Sequence, residues 1–382
     1  MGLLLRYEWS KLARLPALWG FLALCLVFNC LLIGSGDRWR WEWNETAAMT
    51  GELGQRVNQD FLDGLEQRPQ SDYRDYLLSA GEGMTDIYED YDLKALSGFY
   101  NGYVKSSPTA AALMERKYNR LAERVVHLSE TGAAMDWYGG PMTHYVHQFL
   151  YGTLMRAVLT EGVVLGMLSM LFLLGYENQQ RTATGVYATR TGRKLCGCKI
   201  LAGVGWALAA YLLLAAVTLG IFLLFWDWSG IWSGSVSGQF NYITDLFYPR
   251  PFLTWTDFTA GGYLAAVVGL GGLLTVVFTL LAAVCGTLMR NVYLSALMLA
   301  LLLCGSAAVQ ALCAQAGLWM GYALLTFQPV SIWLTINGWF TELGLNGFLP
   351  WQETIGTGLG LAVCGLGTAL ALKHFGRKDV NT

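Results

Sequence analysis

Glu177, Arg181, Arg190, Arg193, Lys194 and Lys199 share one short polar stretch clamped between two long apolar runs. Five bases and one acid at that spacing suit charge pairing with a partner surface more than bond-making chemistry. No Ser-His-Asp set or pair of carboxylates is placed to act as a catalyst. Glu161 is the other residue of interest, because it falls inside an apolar run, five residues after Arg156. An ionisable group within a membrane span is by default a functional candidate. Its plainer role would be to reach water at the interface or to pair with Arg156. His144-x-x-His147, with His127 nearby, could set two imidazoles on one helix face, but a metal site needs a third ligand and supporting partners. Cys196-x-Cys198 has no histidine beside it, and no metal site is expected.

The elements that must position these residues follow from composition. The chain has 382 residues, 54% of them hydrophobic and 14% charged, with a mean hydropathy of +0.39. Charged residues in soluble domains are nearer a quarter, so the expected class is an all-α integral membrane protein. Six apolar runs are long enough to cross a hydrocarbon core, at 17–35, 157–175, 200–226, 258–286, 293–315 and 354–373. Arg6, Lys11 and Arg14 precede the first run with no small-residue cleavage site after it, so that run reads as a retained span. Residues 318–340 are aromatic but carry Gln328, Pro329 and Asn337, and read as a re-entrant or interfacial hairpin rather than a seventh span.

Charge fixes the expected orientation. Residues 36–150 hold 18 acids against 11 bases, whereas the segments before the first span, after the second, between the fourth and fifth and after the sixth hold 12 bases against 3 acids. Basic short loops stay cytoplasmic. Both termini and the polar stretch are therefore expected inside, in a multi-pass protein of the cell membrane. The expected order is a cytoplasmic interfacial helix (1–16), the first span, a large extracytoplasmic insert (36–156), the second span, a cytoplasmic loop (176–199), the third span, an outer loop (227–257), the fourth and fifth spans, an outer segment (316–353), the sixth span and a cytoplasmic tail (374–382).

The insert holds none of the eight cysteines, so its stability must come from packed helices rather than disulfides. Within it, Leu113, Met114, Leu121, Val125 and Leu128 fall on one side of a helical pattern, with Glu115, Arg116, Arg120 and Arg124 on the other. The insert is expected to be mostly helical and a candidate domain of its own. Gly162-x-x-x-Gly166 and Gly356-x-Gly358-x-Gly360 allow close helix approach, with a dimer seam as one use.

Three places carry a family resemblance. The opening Leu3-Leu4-Leu5-Arg6-Tyr7-Glu8-Trp9-Ser10-Lys11-Leu12-Ala13-Arg14 resembles the interfacial helix of the membrane subunits of type-2 ABC exporters. The polar stretch is similar to that family's Glu-x-x-x-(Arg or Gly)-Thr segment with a basic turn and a Lys at the foot of the third span, here Glu177, Arg181, Thr182, Gly185, Arg190, Arg193 and Lys199. The tail Phe375-Gly376-Arg377-Lys378-Asp379 resembles the family's aromatic-x-(Arg or Lys)-x-Asp ending. The chain departs from the pattern at Tyr187-Ala188-Thr189-Arg190, where the family commonly has Pro and then Ser or Thr before the base.

The resemblance implies a permease subunit that pairs with a second permease subunit, in a homodimer or heterodimer, and docks on a separate ABC ATP-binding subunit. It also implies that Glu8, Lys11 and the seven residues of the polar stretch couple the two. Export of a hydrophobic or amphipathic substrate is the usual activity. Without the family, the chain still lacks a phosphate-cradling loop, since no Gly-Lys dipeptide occurs in it. Ser235-Val236-Ser237-Gly238-Gln239 only faintly resembles an ABC signature and falls in an outer loop. The chain is therefore expected to be no enzyme and to carry no cofactor, with ATP and Mg on the partner. The lipid bilayer is an expected partner and nucleic acid is not. The alternatives are a non-transporting membrane sensor or scaffold with an extracytoplasmic ligand-binding domain and, last, an intramembrane enzyme.

Overall fold

The computed structural model describes residues 2–187, 189, 192–244, 249–289 and 291–377, with Tyr187, Arg193 and Arg377 described in backbone only. Helices carry nearly all its regular structure. In chain order they are α1 (Gly2–Ala13), α2 (Pro16–Ser35), α3 (Arg40–Leu53), α4 (Gln59–Glu66), α5 (Asp72–Glu82), α6 (Leu93–Val104), α7 (Pro108–Glu130) and α8 (Thr143–His147). A π-helical turn (Gln148–Met155) leads into α9 (Arg156–Gln179), followed by α10 (Ala183–Tyr187), α11 (Gly192–Phe225), α12 (Ala260–Leu288), α13 (Val292–Gln315), α14 (Trp319–Leu325), α15 (Pro329–Leu334) and α16 (Gln352–Arg377). Between α11 and α12, β1 (Tyr242–Ile243) pairs antiparallel with β2 (Arg250–Pro251).

Six helices among the described residues, α2, α9, α11, α12, α13 and α16, are long and apolar enough to cross a bilayer. At 1.5 Å per residue the 24 residues of α9 extend about 36 Å, enough for a hydrocarbon core of about 30 Å. α14 and α15, with 7 and 6 residues, are too short, so residues 318–340 add no seventh span. α9 and α12 lie at the centre of the bundle, whereas α13 buries only Ser295 and Leu299. Where α9 crosses its neighbours, a Cβ on Gly166 would stand 2.4 Å from Thr279 Oγ1 and 2.9 Å from Ala207 Cβ. The Gly162-x-x-x-Gly166 pair therefore serves packing within the chain rather than a dimer seam: Gly162 meets the Tyr211 ring in the same way.

The insert is helical, as its pattern predicts, and side chains start its helices. Asn58, Ser71, Asp92 and Ser107 accept hydrogen bonds from the backbone N–H three residues on, capping α4, α5, α6 and α7. Such caps satisfy donors that a helix leaves free, for about 0.5–2 kcal/mol each. α7 buries Met114, Leu121, Val125 and Leu128, but it also buries Lys117 and Tyr118. Arg124, assigned to the polar face, turns to Thr254 O at 2.9 Å and pairs with Asp257.

The insert does not close its core alone. Leu253, Ala323 and Phe348 join the cluster built by α6 and α7. Lys117 Nζ, wholly buried, donates to Glu342 Oε2 at 3.2 Å and to the carbonyls of Glu342, Gly344 and Gly347 at 2.8–3.0 Å. Arg250 lies 2.6 Å from the other oxygen of Glu342. Burial pulls the Lys117 ammonium down to about 8, against the opposing pull of the Glu342 carboxylate. Burial also pushes the Glu342 carboxyl up, but Arg250 and Lys117 more than offset this and hold it below its ordinary value. Insert, 227–259 loop and 316–351 segment thus form one body at one end of the bundle. α1, the α9–α11 loop and the end of α16 lie at the other.

Candidate functional site

Two polar clusters are candidates. The first lies at the loop end, where α1, the last turn of α9 and the first turns of α11 meet. Lys11 Nζ donates to Glu8 Oε1 at 2.7 Å and to Glu177 Oε1 at 3.1 Å. Lys199 donates to the other oxygen of Glu177 and, at 2.6 Å, to Leu173 O. Glu8, Glu177 and Lys199 are buried, and the Lys11 side chain is only 8% exposed. Lys11 also sits 4.5 Å above the Tyr176 ring and 4.9 Å from that of Tyr7. Two carboxylates and two ammoniums leave the group neutral, as burial requires, since an unpaired charge in a dry interior is costly.

Local sequence explains how each member arrives. α1 presents Glu8 and Lys11 three residues apart, on one face, and Leu12 beside them is fully buried. Trp9 packs edge-on against Trp206 of α11 at 5.5 Å. Glu177 and Leu173, one turn apart on α9, offer a carboxylate and a backbone carbonyl to the same ammonium. α11 begins at Gly192, eight residues before the apolar run that marks the third span, because Lys199 is neutralised and its helix can continue through it.

Four residues of the nine named as coupling sites come together here: Glu8, Lys11, Glu177 and Lys199. The pairing of Glu177 with Arg181, expected one helical turn on, does not form. α9 stops at Gln179, and Arg181 takes a left-handed backbone (φ 56°) and is exposed, so the spacing of a continuous helix no longer applies. Thr182 is exposed; its N–H donates to Glu177 O at 2.9 Å, and its carbonyl accepts from Val186 as α10 begins. Gly185 is exposed on α10. Arg190, the Arg193 side chain, Arg290 and residues 378–382 lie outside the described residues.

The second cluster joins three spans. Glu161 of α9 is 8% exposed and accepts from Asn29 Nδ2 of α2 at 2.8 Å. The same amide nitrogen lies 3.0 Å from Thr218 Oγ1 of α11. The alternative pairing with Arg156 is not made: Arg156 donates to Leu334 O and Asn337 Oδ1, both at 3.2 Å. Five positions along an α-helix turn by about 140°, so the two side chains leave α9 on different faces. Sequence reasoning missed Asn29, although its signal was present: it is the one amide in the apolar stretch Pro16–Ser35.

The histidines have separate partners. His144 contacts Tyr242 O and Thr244 Oγ1, buried His147 contacts Tyr138 and Asn241, and His127 pairs with Asp257. Among the described residues no group of three His, Cys, Asp or Glu side chains could hold a metal ion. The first cluster can thus tie three helices into one mechanical unit, and the second can hold a carboxyl at the meeting point of three spans. Comparison with known proteins returns no matching family model, no matching characterised protein and no matching solved structure.

Proposed function

We propose that this chain is the permease subunit of an ABC transporter, working as a pair of membrane subunits with a separate ATP-binding subunit and exporting a hydrophobic or amphipathic substrate across the cell membrane. The observation that carries this reading is the Glu8–Lys11–Glu177–Lys199 cluster. It binds α1 to the end of α9 and the start of α11, so a push on the exposed loop at Arg181 to Gly185 moves a helix end, not a slack tether. In this reading the ATPase seats on that loop and on α1, both on the cytoplasmic side. Its closure rotates α9 and α11 about the polar contact of Glu161 with Asn29, and the insert lies outside.

The test is purification of the tagged full-length chain from its native membrane in mild detergent, followed by identification of co-purifying proteins and measurement of ATP hydrolysis. The expected result is a partner bearing a Gly-x-x-x-x-Gly-Lys-(Ser/Thr) loop, with hydrolysis in the complex and none in the chain alone. Recovery of the chain with a kinase and no such ATPase would favour the sensor reading. Sustained hydrolysis by the isolated chain would overturn the permease assignment.

A further inference from the structure

A cavity of about 460 Å³ lies where α2 and α11 end and the π-helical turn begins. This volume falls in the range of small-molecule sites, roughly 300–1,000 Å³. Its position is set by chain connectivity: Ser35 and Gly36 close α2, Trp226 follows α11, and Gln148 to Arg156 carry the chain into α9. All three elements leave the apolar slab at this level, so the cavity sits at the depth of the lipid headgroups on the insert end. A π-turn widens the helix locally and is frequent at functional sites.

The lining has one electrostatic sign. Arg38 and Arg156 both face the cavity, and no carboxylate is among its lining residues. The nearest acid along the chain, Asp37, is engaged by Arg40 at 2.8 Å. Three buried donors there have no acceptor among the described residues: Nε of Arg156, Nε2 of Gln148 and the indole N–H of Trp226. A buried donor left unpaired costs about 1–3 kcal/mol, and every unpaired group named here asks for an acceptor. Ser35, Thr153 and Asn337 add neutral polar groups to the lining, and aromatic pairs supply its apolar part. Trp39 stacks on Tyr145 at 4.8 Å and Phe149 on Trp226 at 5.7 Å.

We infer that this cavity binds the headgroup of an anionic amphiphile, a phosphate-bearing lipid, whose oxygens take up the guanidinium donors of Arg38 and Arg156 while the aromatic pairs pack its glycerol and upper acyl chain. Arginine is the residue suited to such planar, forked recognition of phosphate. The site does not depend on the transporter reading and would serve a sensor equally.

Native mass spectrometry of the full-length chain in a neutral detergent tests it, with phosphatidylglycerol, phosphatidylcholine and inorganic phosphate as the three probes. Phosphatidylglycerol, which is net anionic, should bind about tenfold or more tightly than zwitterionic phosphatidylcholine, whose phosphate is the same but whose choline cation is repelled by Arg38 and Arg156. Arg156→Gln and Arg38→Gln should each remove most of that preference. Arg38 is exposed and stacks only on its neighbour Trp39, so Arg38→Gln keeps the test decisive if Arg156→Gln fails to fold. Equal binding of the two lipids, or an unchanged preference in folded variants, would overturn the assignment. Full displacement of the lipid by inorganic phosphate would overturn its amphiphile part and leave a soluble-anion site.

Discussion

Glu177→Gln tests the loop-end cluster directly. As an exposed pair with Arg181, this carboxylate would contribute only about 0.2–0.5 kcal/mol, and its loss would leave folding almost untouched. The geometry gives a different magnitude. Glu177 is 3% exposed and is shared by Lys11 and by Lys199, which is fully buried. Removing one member of a buried pair leaves the other charge uncompensated, at a cost of about 3–5 kcal/mol. Glu177→Gln should therefore lower the denaturation midpoint of the detergent-solubilised protein clearly. Lys199→Met in the same chain should restore most of the loss, because replacing both members of a buried pair by uncharged groups is often close to neutral. Stability of the two single variants and the double variant gives the coupling energy. A change below about 0.5 kcal/mol for Glu177→Gln alone, the level of an exposed pair, would refute the buried network. On the permease proposal, the refolded double variant separates structure from coupling: it should keep expression and co-purification of the proposed ATPase while losing substrate-stimulated ATP hydrolysis.

Three more outcomes are expected. Glu342 has a folded-state pKa below its ordinary value of 4.5, so its contribution is present above the unfolded value and lost as pH falls through the folded one. Tertiary near-UV signals of the insert should therefore weaken on acidification below about pH 4.5 in the wild type, and Glu342→Gln should flatten that response. Asn29→Ala removes the contacts to Glu161 and Thr218 and should cost about 0.6–1.7 kcal/mol, the scale of hydrogen bonds between membrane helices; an unchanged unfolding midpoint would mean that the three spans are not joined there. In a cysteine-free background, impermeant thiol reagents on intact cells should label Asn58→Cys and spare Thr191→Cys, and labelling of the latter would reverse the expected orientation and remove the proposed coupling role of the 176–199 stretch.

The spans were legible because their signal is local. Apolar runs at 17–35 and 293–315 correspond to helices Pro16–Ser35 and Val292–Gln315, and a run of hydrophobic residues needs no partner to be recognised. The helical insert was legible for the same reason, from the pattern that α7 buries at Met114, Leu121, Val125 and Leu128, whereas the caps at Asn58, Ser71, Asp92 and Ser107 were read only from the structure. One departure, at α11, arose where a charge was involved. Lys199 stands just before the apolar run but inside the helix, because its neutralising partner is 22 residues away on another element.

The partners of charged residues were the part that sequence could not supply. Lys117 meets Glu342 across 225 positions, and Lys11 meets Glu177 across 166. Nothing in a helical wheel announces that a lysine beside Tyr118 and Leu121 will be buried; only the arrival of an acid and three carbonyls from another segment makes its burial possible. A domain tethered by flexible links would move independently of the spans. Here Glu342 holds Lys117 of the insert and Arg250 of the 227–259 loop from the segment just before α16. A ligand that shifted the insert would have to carry the ends of α11, α12 and α16 with it or break a buried ionic cluster. That requirement couples the body formed by the insert mechanically to the bundle, in series with the cluster that ties α1, α9 and α11 at the opposite end.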